Sequence, residues 1–331
     1  MVPGIALIVG NGLTIDLLGR SGSALDSRSP FSLQFDVPFG SGESWQDAFP
    51  SLVDRRNEVR GSQPGITDFD VFNALLTSPH SLMLETRMRE FLLFAYSSLQ
   101  AEMDVLNKDA TPWADWLRRH RSFLHAAVSF NYDLLLEDLL QRTGIITRSH
   151  KLQASGLTYN VDLDLWYAGL IRGHLSPLPL LLKPHGSIDY APTPSFISMP
   201  PTTYPSPNVI TMNDVPLIRI PRTQLGNPHT EAYIVLPTEY SPYENFQWVR
   251  YGYTEFLRRA NSITHCVFLG LSYWESDREE LDFLLDALPQ TTEIIEANPK
   301  PCPLFRKRVE SSARHYVQWK DTPLPITTGT T

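Results

Sequence analysis

Five short clusters in this 331-residue sequence combine small residues with polar or titratable ones. They are Gly10-Asn11-Gly12-Leu13-Thr14, Asn131-Tyr132-Asp133, His185-Gly186-Ser187, Gly270-Leu271-Ser272 and Asn298-Pro299. Glycine lets a phosphate or a ribose approach backbone N–H groups closely. Asparagine supplies donor and acceptor together, and an imidazole titrating near neutrality suits proton transfer. Each cluster also has a structural explanation. The GNG turn departs from a dinucleotide fingerprint, because Ile15 stands where the third glycine belongs and no clear second strand ends in an acid about 20 residues on. Asn131 can cap a helix starting at Tyr132, with Asp133 as its first-turn acid. His185 can be a turn histidine, Gly270 and Ser272 another cap, and Asn298-Pro299 a turn opener.

What the clusters share is position, since each follows a predicted strand. Residues 5–9 (IALIV) form an apolar run closed by the first glycine turn. Further strands are predicted at 126–130, 179–183, 232–236, 264–270, 292–297 and 315–319. Between them lie helical patterns. Met88, Phe91, Leu92, Ala95, Leu99, Met103 and Leu106 recur at spacings of three and four, on one helix face. A second helix opens with Thr111 as N-cap and Pro112 at the first position. YDLLLEDLLQR, a stripe of Phe246, Val249, Tyr253, Phe256 and Ala260, SDREELDFLLDAL and PLFRKRVESS are helical as well, whereas 21–66 reads as mostly loop. Strands alternating with helices imply a doubly wound, mostly parallel, Rossmann-like α/β sheet, with a helical insertion over about 67–122. Ligands of such sheets bind at the carboxyl ends of the strands, so all five clusters are expected to face one crevice.

Composition bounds the rest. An apolar fraction of 42% with 19% charged residues excludes disorder as a whole-chain description. A net charge of −8 argues against nucleic-acid or anionic-membrane surfaces. No apolar run approaches the roughly 18–20 residues that span a bilayer, and MVPGIALIVG reads as a strand rather than a signal peptide, so a cytoplasmic location is expected. Two cysteines, Cys266 and Cys302, make neither a disulfide framework nor a four-cysteine zinc site. The motifs GxxxxGK[ST], HExxH and GxSxG are absent, and the clusters RRHR (118–121) and RKR (306–308) are expected on solvated helix faces. Fourteen of the 27 prolines fall between Pro177 and Pro242, a stretch that cannot sit centrally in a sheet and is expected to form a lid over about 176–242. Residues 1–325 are expected as one domain and 326–331 as a flexible tail.

Taken in order, the clusters resemble the motifs of sirtuin-type NAD-binding domains. Gly10, Gly12 and Thr14 correspond to that family's Gly-Ala-Gly-x-Ser, Asn131 and Asp133 to its Thr-Gln-Asn-Ile-Asp, and His185-Gly186 to its catalytic His-Gly. Gly270 and Ser272 correspond to Gly-Thr-Ser, and Asn298 to the Asn that touches the adenosine ribose. In detail, GNGLT, SFNYDLLLE, LKPHGSID and LGLSYWESD, with Asp277 as the late acid, are more similar to the bacterial sirtuin-like NAD hydrolases of phage-defence systems. The resemblance runs from about residue 5 to 300. The two CxxC pairs of the deacylase zinc module are missing, as is the acidic-Phe-Arg stretch, and the proline-rich segment resembles a metal-free replacement for that module.

The resemblance implies an NAD+ glycohydrolase that needs no zinc. NAD+ is its substrate, nicotinamide and ADP-ribose its products, and antiviral NAD depletion its role. It implies that Asn131 holds a ribose hydroxyl and orients water and that His185 acts as base. Turns 10–14 and 270–272, through Gly10, Asn11, Gly12, Leu13, Thr14, Gly270 and Ser272, cradle the diphosphate. Asp277 and Asn298 complete the cofactor contacts, and Asp133 fixes its loop. It further implies control through homo-oligomers or through a HerA-like ATPase or a short Argonaute. The alternatives are a non-enzymatic NAD or ADP-ribose sensor and an NAD-dependent deacylase.

Overall fold

The computed structural model describes residues 4–35, 44–77, 82–145, 178–192, 217–219, 222, 225, 234–236, 247–320 and 322–326. Eight strands are defined among them: β1 (Gly4–Val9), β2 (Leu124–Ser129), β3 (Leu180–Leu182), β4 (Tyr190–Pro192), β5 (Leu217–Arg219), β6 (Ile263–Leu269), β7 (Glu293–Ala297) and β8 (Tyr316–Trp319). Six form one parallel sheet in the order β3-β2-β1-β6-β7-β8, while β4 and β5 pair separately as an antiparallel ribbon. Counting only the six parallel strands along the chain, the order is 3-2-1-4-5-6. That is the doubly wound order, and its switch point lies between β1 and β6.

β1 explains why the sheet needs two helical layers. All six of its residues are buried. Successive side chains of a strand point to opposite faces. Ile5, Leu7 and Val9 therefore enter one core, and Ala6 and Ile8 enter another.

The first core lies under α1 (Gly12–Arg20), α2 (Trp45–Ala48), α3 (Pro50–Ser62), α4 (Asp68–Thr77), α5 (Leu82–Asp104), α6 (Pro112–His120) and α7 (Leu135–Arg142). The second lies under α8 (Gln247–Ala260), α9 (Glu275–Ala287) and α10 (Pro303–Ser311). The α5 stripe is as expected, with Met88, Phe91, Leu92, Ala95, Leu99 and Met103 buried, and Leu106 packs against the same core beyond the helix end. Phe31 stacks on Phe72 and Phe91 with centroids 4.8 Å apart, which pins the 30–32 turn to α4 and α5. Thr111 Oγ1 accepts the Trp113 N–H and starts α6.

Several expectations need correcting. The 21–66 stretch, expected as mostly loop, contains a helix that was not expected, α3 at Pro50–Ser62. Only Leu52 of that helix is buried, so it carries no apolar stripe to detect. Residues 232–236 do not form a strand of the sheet among the described residues. Ile234 makes an isolated antiparallel bridge with Gly186 instead, and its apolar run is buried against the loop after β3. α7 begins at Leu135 rather than Tyr132, since residues 131–134 make the turn out of β2. His120 of the RRHR cluster is buried, its Nδ1 2.8 Å from the Trp116 carbonyl, while Arg118, Arg119 and Arg121 are exposed. Most of the proline-rich stretch and residues 327–331 lie outside the described residues. Among the described residues no helix is long and apolar enough to cross a membrane.

Candidate functional site

A cavity of about 790 Å³ opens where the parallel strands end. The loops after β1, β2, β3, β6, β7 and β8 all reach it, through residues such as Asn11, Asn131, His185, Ser272, Asn298 and Lys320. From the β2 end to the β7 end is three strand spacings, about 14 Å at 4.8 Å each. A ligand touching both Asn131 and Asn298 must therefore be elongated.

The turn glycines have a structural task that the sequence does not show. A Cβ on Gly12 would lie 2.4 Å from the Gly270 Cα, and one on Gly270 would lie 2.5 Å from the Gly12 Cα. Gly270 also has a φ of +59°. The Gly10 and Gly12 N–H groups donate to the Leu269 and Gly270 carbonyls, both at 2.9 Å. These two donors hold the β1 turn to the β6 turn, while Gly10, Gly12 and Gly270 themselves line the cavity. Leu13 is buried in the core and Thr14 is fully buried, so both stand behind the cavity wall. Asn11 lines the cavity, with its Oδ1 accepting the Ser27 hydroxyl at 2.7 Å.

Asn131 does not cap α7. Its Nδ2 donates to the Gly10 carbonyl at 3.1 Å and to Thr14 Oγ1 at 3.4 Å. Both amide hydrogens are engaged there, which leaves the side-chain oxygen to accept a hydroxyl proton from the cavity. Asp133, just before the N-cap Leu134, accepts the Leu135 N–H on Oδ1 at 3.0 Å and the Thr14 hydroxyl on Oδ2 at 2.7 Å. Burial raises the Asp133 pKa, and the Lys183 cation and these hydrogen bonds pull it back.

His185 sits in the turn after β3, buried, with the Phe130 ring edge-on at 4.9 Å. Its carbonyl accepts the Val235 N–H at 2.9 Å, and the Tyr132 hydroxyl donates to the Val235 carbonyl at 2.6 Å. Burial depresses the imidazole pKa to about 3, against a backbone hydrogen bond to Phe130 that favours the charged ring. The near-neutral pKa expected from sequence is corrected accordingly, because desolvation disfavours the cation. His185 Nε2 faces Asp277 Oδ1 at 3.8 Å. Asp277 lies in the first turn of α9, and burial lifts its carboxyl to about 6 despite a hydrogen bond from Ser276. The near-neutral group of this pair is the carboxylate, not the imidazole.

At the far end, Asn298 donates from Nδ2 to the Leu271 carbonyl at 3.1 Å and accepts the Lys300 N–H at 3.2 Å. Ser272 is exposed on the cavity wall. Among the described residues no group of three or more His, Cys, Asp and Glu is placed to hold a metal ion.

Four residues escaped sequence reasoning. Trp274 lines the cavity while 42% exposed, and Phe69 of α4 stands edge-on to it at 6.0 Å. An aromatic residue directly between the Gly270–Ser272 turn and a helix was its only signal. Lys183 and Glu137 form a buried ion pair at 2.9 Å beneath the site. Lys183 stands two residues before His185, but nothing local foretells its burial.

No family model and no curated protein sequence matches the chain. Among solved structures it is similar to a Sir2 homologue, described as a mutant carrying alanine for serine in complex with ADP-ribose. The identity is 14% and the TM-score 0.35, over 95% of this chain and 90% of that one. A likeness at this level assigns neither family nor ligand. The functional assignment rests on the cavity itself.

Proposed function

We propose that this cleft binds NAD+ and hydrolyses its nicotinamide–ribose bond, releasing nicotinamide and ADP-ribose. One observation carries the proposal: Asn131 and His185 from two separate turns and Asp277 from the first turn of α9 meet on one cavity at the switch point of a doubly wound sheet. The cavity volume is within the range of small-molecule and cofactor sites, and its elongation suits a dinucleotide.

Nicotinamide leaves as a neutral molecule, taking the electron pair of the bond to the ribose. The site therefore needs to hold the ribose and accept one proton from the attacking water. In this reading the Asn131 oxygen accepts a ribose hydroxyl. His185 is neutral at pH 7 and can take the water's proton, and the ionised Asp277 carboxylate 3.8 Å away stabilises the imidazolium so formed. A base with a pKa near 3 is weak alone, so the pair has to act together. The role of a regulated NAD-depleting effector, assembled with itself, a HerA-like ATPase or a short Argonaute, is supported only by the motif resemblance.

The test is nicotinamide release from NAD+ by the purified chain, alone and with its genomic neighbours, followed by chromatography. Release that disappears in Asn131→Ala and His185→Ala supports the hydrolase, whereas release dependent on an acyl-lysine peptide replaces it with a deacylase. A non-catalytic sensor is the second reading, favoured by the depressed basicity of His185. Tight NAD+ binding without turnover in every assembly would establish it.

A further inference from the structure

The largest charged side chain in the fully buried core is Lys183, and the chemistry above makes no use of it. Its Nζ donates to the Asp133 carbonyl at 2.5 Å and to Ser187 Oγ at 3.0 Å, and it pairs with Glu137 Oε1 at 2.9 Å. These partners belong to three different pieces of chain. Asp133 is in the turn after β2, Ser187 is in the turn after β3, and Glu137 is on α7. The two turns are joined again by the Ile188 N–H and the Ser187 hydroxyl, which both donate to the Tyr132 carbonyl.

From Asp133 the connections continue toward the cavity. Asp133 Oδ2 accepts the Thr14 hydroxyl, and Thr14 Oγ1 accepts the Asn131 amide. On the other side, Lys183 precedes His185 by two residues, and its own carbonyl accepts the Gly186 N–H at 3.1 Å. The ammonium thus lies between the backbone segments that carry Asn131 and His185. It does not line the cavity.

We propose that Lys183 is a positioning residue of the hydrolase site: it clamps the Asn131 turn to the His185 turn and sets the separation at which the two side chains meet the ribose. The inference rests on the hydrolase reading. A buried ion pair is a costly way to obtain stability alone, since a well-packed apolar pair is often as good or better. An ammonium offers three donors that can be shared among three oxygens, which an apolar residue cannot replace. A displacement of about 1 Å in a reacting group can cost about a hundredfold in rate. The clamp is therefore expected to act on kcat.

The experiment uses the full chain, in whatever assembly turns over NAD+. Lys183→Met alone would leave the Glu137 carboxylate buried without its cation, so the main variant is Lys183→Met with Glu137→Gln. Melting temperature, kcat, KM for NAD+ and the Kd of ADP-ribose are measured against wild type. The expected result is a folded protein with kcat reduced at least about tenfold, and with KM and the ADP-ribose Kd within about threefold. A folded variant with wild-type kcat overturns the inference, as does one whose kcat and ADP-ribose affinity fall together with its melting temperature. If the double variant does not fold, Ser187→Ala decides, because it removes one partner without stranding a charge. A lowered kcat at unchanged KM supports the clamp, and an unchanged kcat overturns it. A wild-type chain that never turns over NAD+ refutes the hydrolase reading and this inference together. A turning-over wild type whose variants match it refutes this inference alone.

Discussion

Gly12→Ala tests whether the β1 turn is held against the β6 turn as tightly as the geometry requires. The new Cβ would sit 2.4 Å from the Gly270 Cα and 2.9 Å from its carbonyl oxygen. Ordinary carbon–carbon contacts are at about 3.5–4.0 Å, so the turns must separate by more than about 1 Å. Neither wall can yield by a side-chain rotation, because the obstructing atoms are backbone. Overpacking of this kind costs about 1–3 kcal/mol. The separation also strains the Gly12 N–H to Gly270 carbonyl bond at 2.9 Å, worth about 1 kcal/mol more. A total of about 2–4 kcal/mol lowers the melting temperature by roughly 3–6 °C in a chain of this size. Gly19→Ala is the control on the same helix, since nothing lies within 4 Å of its added Cβ. Alanine in place of a helical glycine stabilises by about 0.5–1 kcal/mol, so Gly19→Ala should melt slightly above wild type. Thermal melts followed by circular dichroism read both variants. A Gly12→Ala protein as stable as wild type would refute the close-approach argument, as would variants that move in the same direction.

Three further outcomes follow from the site. His185 binds its proton only below about pH 3 in the folded chain but at 6.5 when exposed, so the unfolded state takes up a proton the native state refuses between those values. Wild type should therefore lose stability relative to His185→Gln as pH falls from 7 to 5, in denaturant titrations at each pH, and a constant difference would contradict the buried neutral imidazole. Asp277 is displaced the other way, to about 6, so the native state holds a proton that the unfolded state releases above about 4, and it contributes a loss of stability as pH rises through that window. If ionised Asp277 supports catalysis, nicotinamide release should fall below about pH 6 in wild type, and Asp277→Asn should lose about 10²–10⁴-fold in rate together with that acidic limb. Trp274→Ala should weaken NAD+ binding by about 1–3 kcal/mol through lost stacking, measured by calorimetry, with little change in melting temperature because the ring is 42% exposed.

Much of the fold was legible because its signals are local. The run IALIV ends in glycine, and α6 announces itself with Thr111 and Pro112. Strand–helix alternation pointed to a parallel sheet, and the Asn131 and His185 clusters were placed at strand ends on that basis. α3 escaped because a polar surface helix has no stripe to read. The run 234–236 misled because burial against another loop produces the same apolar run as burial in a sheet.

The residue types that meet at the cavity were thus set by sequence alone, since a doubly wound sheet brings every strand's carboxyl end to one side. What those residues can do was decided by the tertiary structure. The Gly10 and Gly12 N–H groups turn to β6 because that strand lies against them. His185 loses its basicity and Asp277 gains a proton affinity near neutrality because both are desolvated, a property of everything packed around them. Lys183 gained its place between two turns in the same way. Hydrogen bonds and desolvation depend on neighbours brought together from distant parts of the chain, which no local pattern of residues records.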